Sequence, residues 1–138
     1  MATVNVTLSL GSTDLFAKQT LSFTETDVLS PAGDQQLIGR IKTSGSGTKD
    51  NIATKALDGT DDRAYLFLHN TSSATNEFVK VGLCESHGSD SASGDWFAVL
   101  DPGEFLFIPI GSSTGFQDVD LEANTGNPVV EYILMEKA

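Results

Sequence analysis

The run from Trp96 to Ile110, WFAVLDPGEFLFIPI, sets two apolar segments on either side of a short polar turn, and neither segment has a polar face. Successive side chains of a strand point to opposite sides of the sheet, so a strand with one wet side alternates apolar and polar residues with a period of two. Here Phe105, Phe107 and Pro109 face one way, and Leu106, Ile108 and Ile110 the other. The C-terminal PVVEYILME repeats the pattern, with Val130, Tyr132 and Leu134 opposing Val129, Ile133 and Met135, and Glu131 the one charge among them. One face of such strands packs on a facing sheet. The other needs the N-terminal strands, a long loop or another polypeptide, because each large apolar side chain left in water forgoes about 1.5–3 kcal/mol. A contiguous exposed apolar surface marks an interface.

The rest of the chain reads as strands and turns, with no segment of helical periodicity. Thr3 to Leu10 alternates, Val4, Val6, Leu8 and Leu10 inward against Asn5, Thr7 and Ser9. Gln19 to Thr26 does the same with Leu21 and Phe23 inward, and Pro31, Ala32 and Gly33 mark a break. Gln36 to Thr43 is a weaker strand with Gly39 as a bulge candidate. Ser44 to Asn51, SGSGTKDN, has the composition of a flexible loop, with too little chain on either side to be a domain linker. Asn51 to Leu57 is a short strand and Asp58 to Asp62 a turn. Strands follow at Ala64–Asn70, Glu77–Cys84, Trp96–Leu100, Glu104–Ile110 and Pro128–Glu136, separated by polar, glycine-rich loops, and Asp118–Ala123 is a single turn or a short strand. In Asp101-Pro102-Gly103 proline suits the second position of a tight turn and glycine the third, where φ is positive. That turn predicts Trp96–Leu100 and Glu104–Ile110 as antiparallel partners. The expected fold is all-β: one β-sandwich or jelly-roll-like barrel of about eight strands over residues 1–138, with residues 1–10 as an extended N-terminal arm or an edge strand.

Charge narrows the partners. With 19 acids against 8 bases the net charge is -11, which argues against nucleic acid, whose phosphates need clustered Lys and Arg, and against an anionic membrane surface. No run of about 18 apolar residues predicts a membrane span, and MATVNVTLSL lacks the basic start and apolar block of a signal peptide. The expectation is a protein made and folded in a cytoplasm. The single Cys84 excludes an internal disulfide and reads as a small buried residue at a strand end.

A search for chemistry leaves the site list empty: no catalytic, cofactor-binding or metal-ligating residue, and no enzyme. His69 stands alone in LFLHNTS without the H-x-H pair of a metal-binding cupin, and reads as a hydrogen-bonded strand-end residue. His87, near Glu85, Asp90 and Asp95, sits in a solvated glycine/serine loop. Asp58, Asp61 and Asp62 lack the alternating ligand spacing of a calcium loop. There is no G-x-S-x-G elbow, and GSGTKD lacks the spacing of a phosphate-binding loop. Trp96, Tyr65 and Tyr132 lie in apolar strands, which places them in the core rather than on a sugar-binding platform.

The order of segments, VNVTLSL, TLSFTETDVLSPAG, AYLFLHNTS, EFVKVGL, FAVLDPGEFLFIPI and VVEYILME, resembles small β-sandwich virion proteins of tailed bacteriophages, marine ones in particular, over most of the chain. The resemblance implies a capsid decoration or cement protein on the outside of the head. Its partner would be the major capsid protein lattice, and it would act as a homo-oligomer, a trimer first. The flexible candidates for that contact are Ala2–Leu10 and Thr43–Asp50, although pairing of Ala2–Leu10 within its own domain is the stronger reading. One alternative is a carbohydrate-binding head-fibre or adhesin module using the loops Glu85–Asp95 and Gly111–Asn127, with Phe116 and Asp118 as contacts. Another is a cupin-like enzyme built on His69 and His87.

Overall fold

Period-two patterning becomes strand throughout. A computed structural model describes residues 4–12, 21–29, 31–53, 63–84, 96–111 and 118–137. These hold ten strands and no helix: β1 (Val4–Ser12), β2 (Leu21–Leu29), β3 (Pro31–Lys42), β4 (Lys49–Ala53), β5 (Arg63–Asn70), β6 (Val79–Cys84), β7 (Trp96–Leu100), β8 (Phe105–Gly111), β9 (Asp118–Ala123) and β10 (Val129–Lys137). The chain divides into two compact units, Met1–Gly33 with Lys137–Ala138, and Asp34–Glu136.

In the first unit β1 and β2 pair antiparallel as a sheet of their own, Val4 opposite Leu29 and Ser12 opposite Leu21. One side carries hydroxyls that meet across the strands, Thr7 with Thr26 at 3.1 Å and Ser9 with Thr24 at 3.4 Å. The other side carries Leu8, Leu10 and Phe23, expected inward from the alternation but left close to half exposed. Alternation sorts side chains onto two faces; it does not supply the layer that covers the apolar one.

In the second unit the order β3-β10-β5-β8 makes sheet I and β4-β9-β6-β7 makes sheet II. Leu66 and Leu68 of β5, Val130 and Leu134 of β10 and Ile110 of β8 meet Ile52, Val79, Val81, Leu100, Val119 and Leu121 of sheet II in one buried cluster. Two antiparallel sheets sharing one core make a sandwich, as the sequence predicts. Asp118–Ala123, left open between turn and strand, is β9, an inner strand of sheet II flanked by β4 and β6.

Three local expectations change. The Asp101–Glu104 turn forms, with Gly103 at φ 80 and the Glu104 N–H donating to the Asp101 carbonyl at 2.9 Å. It does not join partners: β7 pairs with β6 in sheet II and β8 with β5 in sheet I, so the turn carries the chain from one sheet to the other. Turn chemistry sets a local reversal, whereas pairing is decided by the neighbours. Here Asn70, at the end of β5, takes the start of β8: its N–H donates to the Glu104 carbonyl at 3.0 Å and its carbonyl accepts from the Gly103 N–H at 2.9 Å.

The segment after β3 is tied down instead of flexible. Thr43 is buried, and its hydroxyl donates to the Pro128 carbonyl at 3.1 Å. Asp50 accepts from the Ser44 N–H and the Ser44 hydroxyl, both at 2.7 Å. Asn127 donates to the Thr43 carbonyl at 2.7 Å. Short polar side chains that suit a loop also close it by bonding neighbouring backbone.

Third, Pro31, Ala32 and Gly33, expected to mark a break, belong to strand: β3 begins at Pro31, a position where the missing N–H is tolerated. Gly39 makes room for an aromatic ring: a Cβ there would lie 2.6 Å from the Tyr132 hydroxyl. A register shift falls between β6 and β7 at Val81/Gly82, where Ala98 and Trp96 oppose those residues and Phe97 is the extra residue of β7. The predicted turn Asp58–Asp62 and the part of the predicted strand beyond Ala53 lie outside the described residues.

Candidate interaction surface

The core-facing side of sheet I is set by Leu66 and Leu68, so Tyr65, Phe67 and His69 of β5 point away from the core. Register carries that parity across the sheet. Tyr65, Phe67 and His69 oppose Pro109, Phe107 and Phe105 on β8, and Met135, Ile133 and Glu131 on β10. The outer face is therefore aromatic and aliphatic, as the doubly apolar sequences predict. Tyr65 stacks with Phe107 at 6.0 Å between ring centroids, and Phe67 with Phe105 at 6.1 Å. Tyr65 and Met135 are buried at one end of the face, while Phe105 is 62% exposed. On the edge strand β3, Ile38 is 71% exposed. Between β3, β10 and β5 lies an open dish of about 520 Å³ lined by Ile38, Arg40, Phe67, Glu131 and Ile133, with Gly39 and Tyr132.

Charge enters this face on β3 and β10, at Arg40, at the exposed Lys42 two residues on, and at Glu131. The Arg40 guanidinium pairs with Glu131, and His69 Nδ1 lies 3.5 Å from the other Glu131 oxygen. The hydrogen bond from Arg40 holds the Glu131 carboxyl below the usual carboxylate range. Desolvation opposes that shift, and the charge of Arg40 and the contact with His69 add to it. A lowered carboxylate contributes stability that is present above its unfolded pKa and is lost as pH falls through its folded one. Replacing Arg40 with alanine is expected to return the Glu131 titration toward the ordinary value, read by carboxyl-carbon NMR against pH; an unmoved titration would show that Arg40 is not its cause.

The outer side of sheet II sets charge beside apolar surface, with Val99, opposite Lys80, about half exposed. Lys80 pairs with Glu122 at 2.9 Å, Asn51 donates to Asp120, and Asp118 and Asp120 are buried. Trp96, predicted in the core, instead lies half-buried on this side opposite Gly82, with the ammonium groups of Lys49 and Lys80 each 5.7 Å from its ring centroid. The register shift at Val81/Gly82 delivers it there. Tyr132 packs against the core as expected, and Tyr65, although buried, belongs to the outer face of sheet I.

The chain matches no protein-family model, no curated protein and no solved structure.

Only some of the residues weighed for chemistry are among those described. His69 is the next-to-last residue of β5 and its polar neighbour is Glu131; His87, Glu85, Asp90, Asp95 and Phe116 lie outside the described residues. Cys84 is the last residue of β6. Asp118, read as a loop contact for sugar, opens β9 and is buried. Among the described residues no group of three or more His, Cys, Asp and Glu side chains is placed to hold a metal ion, and no helix is long and apolar enough to cross a membrane. The residue that sequence reasoning passed over is Arg40. Its signal was present, since alternation in Ile38-Gly39-Arg40-Ile41 puts Arg40 on the face of Ile38.

Proposed function

We propose that this chain is a virion structural protein, a capsid decoration subunit that binds the outside of a tailed-bacteriophage head and stabilises the major capsid protein lattice as a homo-oligomer. The observation that carries the reading is the outer face of sheet I, where Phe105 and Ile38 stand largely in water beside Phe67, Phe107 and Ile133. Exposed apolar surface of this kind is the mark of a protein that works by contact. The strand order supports the jelly-roll form of the sandwich: β3, β5, β8 and β10 lie in one sheet and β4, β6, β7 and β9 in the other, so the chain changes sheet at every step except β6 to β7.

The mechanism is mass action. A subunit that binds the assembled lattice, and not its unfolded proteins, stabilises the lattice by linkage. Specific contacts of this class bury roughly 1,200–2,000 Å², and their repetition over a shell turns modest affinities into large resistance to internal pressure.

The test uses undecorated shells assembled from the major capsid protein of the same genome. The wild-type chain is expected to pellet with shells at a saturating, fixed ratio and to raise their disruption temperature. Phe105→Asp is expected to lose both effects while keeping its own melting curve. Wild-type protein that stays in the supernatant at micromolar concentration would overturn the proposal.

A further inference from the structure

The hydrogen-bonding groups on the outer face of sheet I say what a partner must bring to it. Arg40 and Lys42 occupy alternate positions of β3, on the side of Ile38, and both are exposed. Glu131 on β10 supplies a carboxylate, and both of its oxygens are engaged, one by Arg40 and the other by His69. Lys42 makes no ion pair among the described residues. The Arg40 side chain is 73% exposed even while it pairs with Glu131. A guanidinium carries five N–H donors and an ammonium three, so this carboxylate leaves donors of both cations unused. Among the described side chains the face therefore holds more base than acid, on a chain whose net charge is -11.

Sheet II uses its cations differently. On its outer side Lys80 is held by Glu122 at 2.9 Å, and Lys80 and Lys49 both lie over the Trp96 ring. Those cations are engaged within the chain, whereas Lys42 points its charge at solvent beside apolar surface. Ile38 is 71% exposed, and the dish beside Arg40 is lined by Phe67 and Ile133. Burying that surface under a purely apolar partner would leave Arg40 and Lys42 desolvated with donors unpaired, which costs more than the burial returns. A partner rich in phosphate is repelled by the rest of the chain, and two cations release too few counterions to hold it.

We infer that this face takes a protein segment that presents apolar and acidic side chains together, its carboxylates meeting Lys42 and the unused donors of Arg40 while its apolar groups fill the dish between Ile38, Phe67 and Ile133. The inference rests on reading the face as a contact surface, and it gives the chemistry of the capsid segment that docks there.

Amide NMR on the full chain, titrated with a short blocked peptide repeating Leu-Leu-Glu-Glu, tests it. Shifts are expected in β3 and β10 around Arg40, Lys42 and Glu131, with a Kd of about 1 mM or tighter, and they weaken as salt is added. The same peptide with lysine in place of glutamate is expected to leave those amides unmoved. Lys42→Glu, at an exposed site, keeps the wild-type melting curve and is expected to weaken the acidic peptide at least about fivefold. Lys49→Gln, which removes a cation from sheet II instead, is expected to leave its affinity unchanged. Equal shifts from both peptides, shifts from neither, or a Lys42→Glu chain that binds as well as wild type overturns the inference. The same shifts on concentrating the wild-type chain alone also overturn it, since they name a second copy as the occupant. Pelleting with shells separates this inference from the decoration reading. Shells ignored by a chain that takes the acidic peptide overturn decoration alone, and shells bound equally by wild type and Lys42→Glu overturn the acidic contact alone.

Discussion

Replacing Asn70 with alanine is expected to cost about 2–5 kcal/mol, which would lower the melting temperature by roughly 10 °C or more. Asn70 is fully buried, and its side-chain amide donates to two backbone carbonyls, Glu77 at 2.9 Å and Leu100 at 3.1 Å. Its side-chain oxygen accepts from the Ser72 N–H at 3.1 Å. One residue thus binds the end of β5 in sheet I to the segment before β6 and the end of β7 in sheet II. Alanine leaves these carbonyls without their donor, and each buried polar group left unpaired costs about 1–3 kcal/mol. Aspartate keeps the acceptor for Ser72 but removes both donations and buries a charge, so it is expected to be worse. A thermal melt of Asn70→Ala within 2 °C of wild type would refute this account of the junction.

The second large effect contrasts two apolar residues of sheet I. Leu68 on β5 is fully buried in the shared core, and Leu68→Ala is expected to cost about 2–5 kcal/mol, the lost transfer energy plus the cavity left behind. Phe105, opposite His69 on β8, has the larger side chain, yet it is mostly in water. Phe105→Ala is expected to change the stability of the dissociated chain by about 1 kcal/mol or less, because a side chain already hydrated has little burial to lose. Denaturant titration at sub-micromolar concentration measures both. Equal costs would mean that the two faces of sheet I are not distinguished as argued here.

Much of this fold was legible because strand periodicity is a local property. The doubly apolar runs at Phe105–Ile110 and Val129–Met135 became strands with one face in the core and one outward. The positive φ of Gly103 followed from its place in the turn. Asp118–Ala123 was harder to read, since acidic residues alternate with apolar ones over only six positions, too few to separate a strand from a turn. The loop after β3 was misjudged because composition counts small polar residues without saying whether they bond; Ser44 and Asp50 do. The Arg40–Glu131–His69 group joins three strands far apart in sequence, and no spacing within one segment could announce it.

Local alternation along the chain was enough to say where strands run and that several have two apolar faces, because side-chain direction in a strand depends only on the parity of position. The folded structure alone decided which strands are neighbours, that the Asp101–Glu104 turn crosses between sheets, that Trp96 lies outside the core, and which apolar face stays in water. Those outcomes depend on hydrogen bonds and packing between residues distant in sequence, such as Asn70 with Leu100 or Phe67 with Ile133, and parity along one segment carries no information about them.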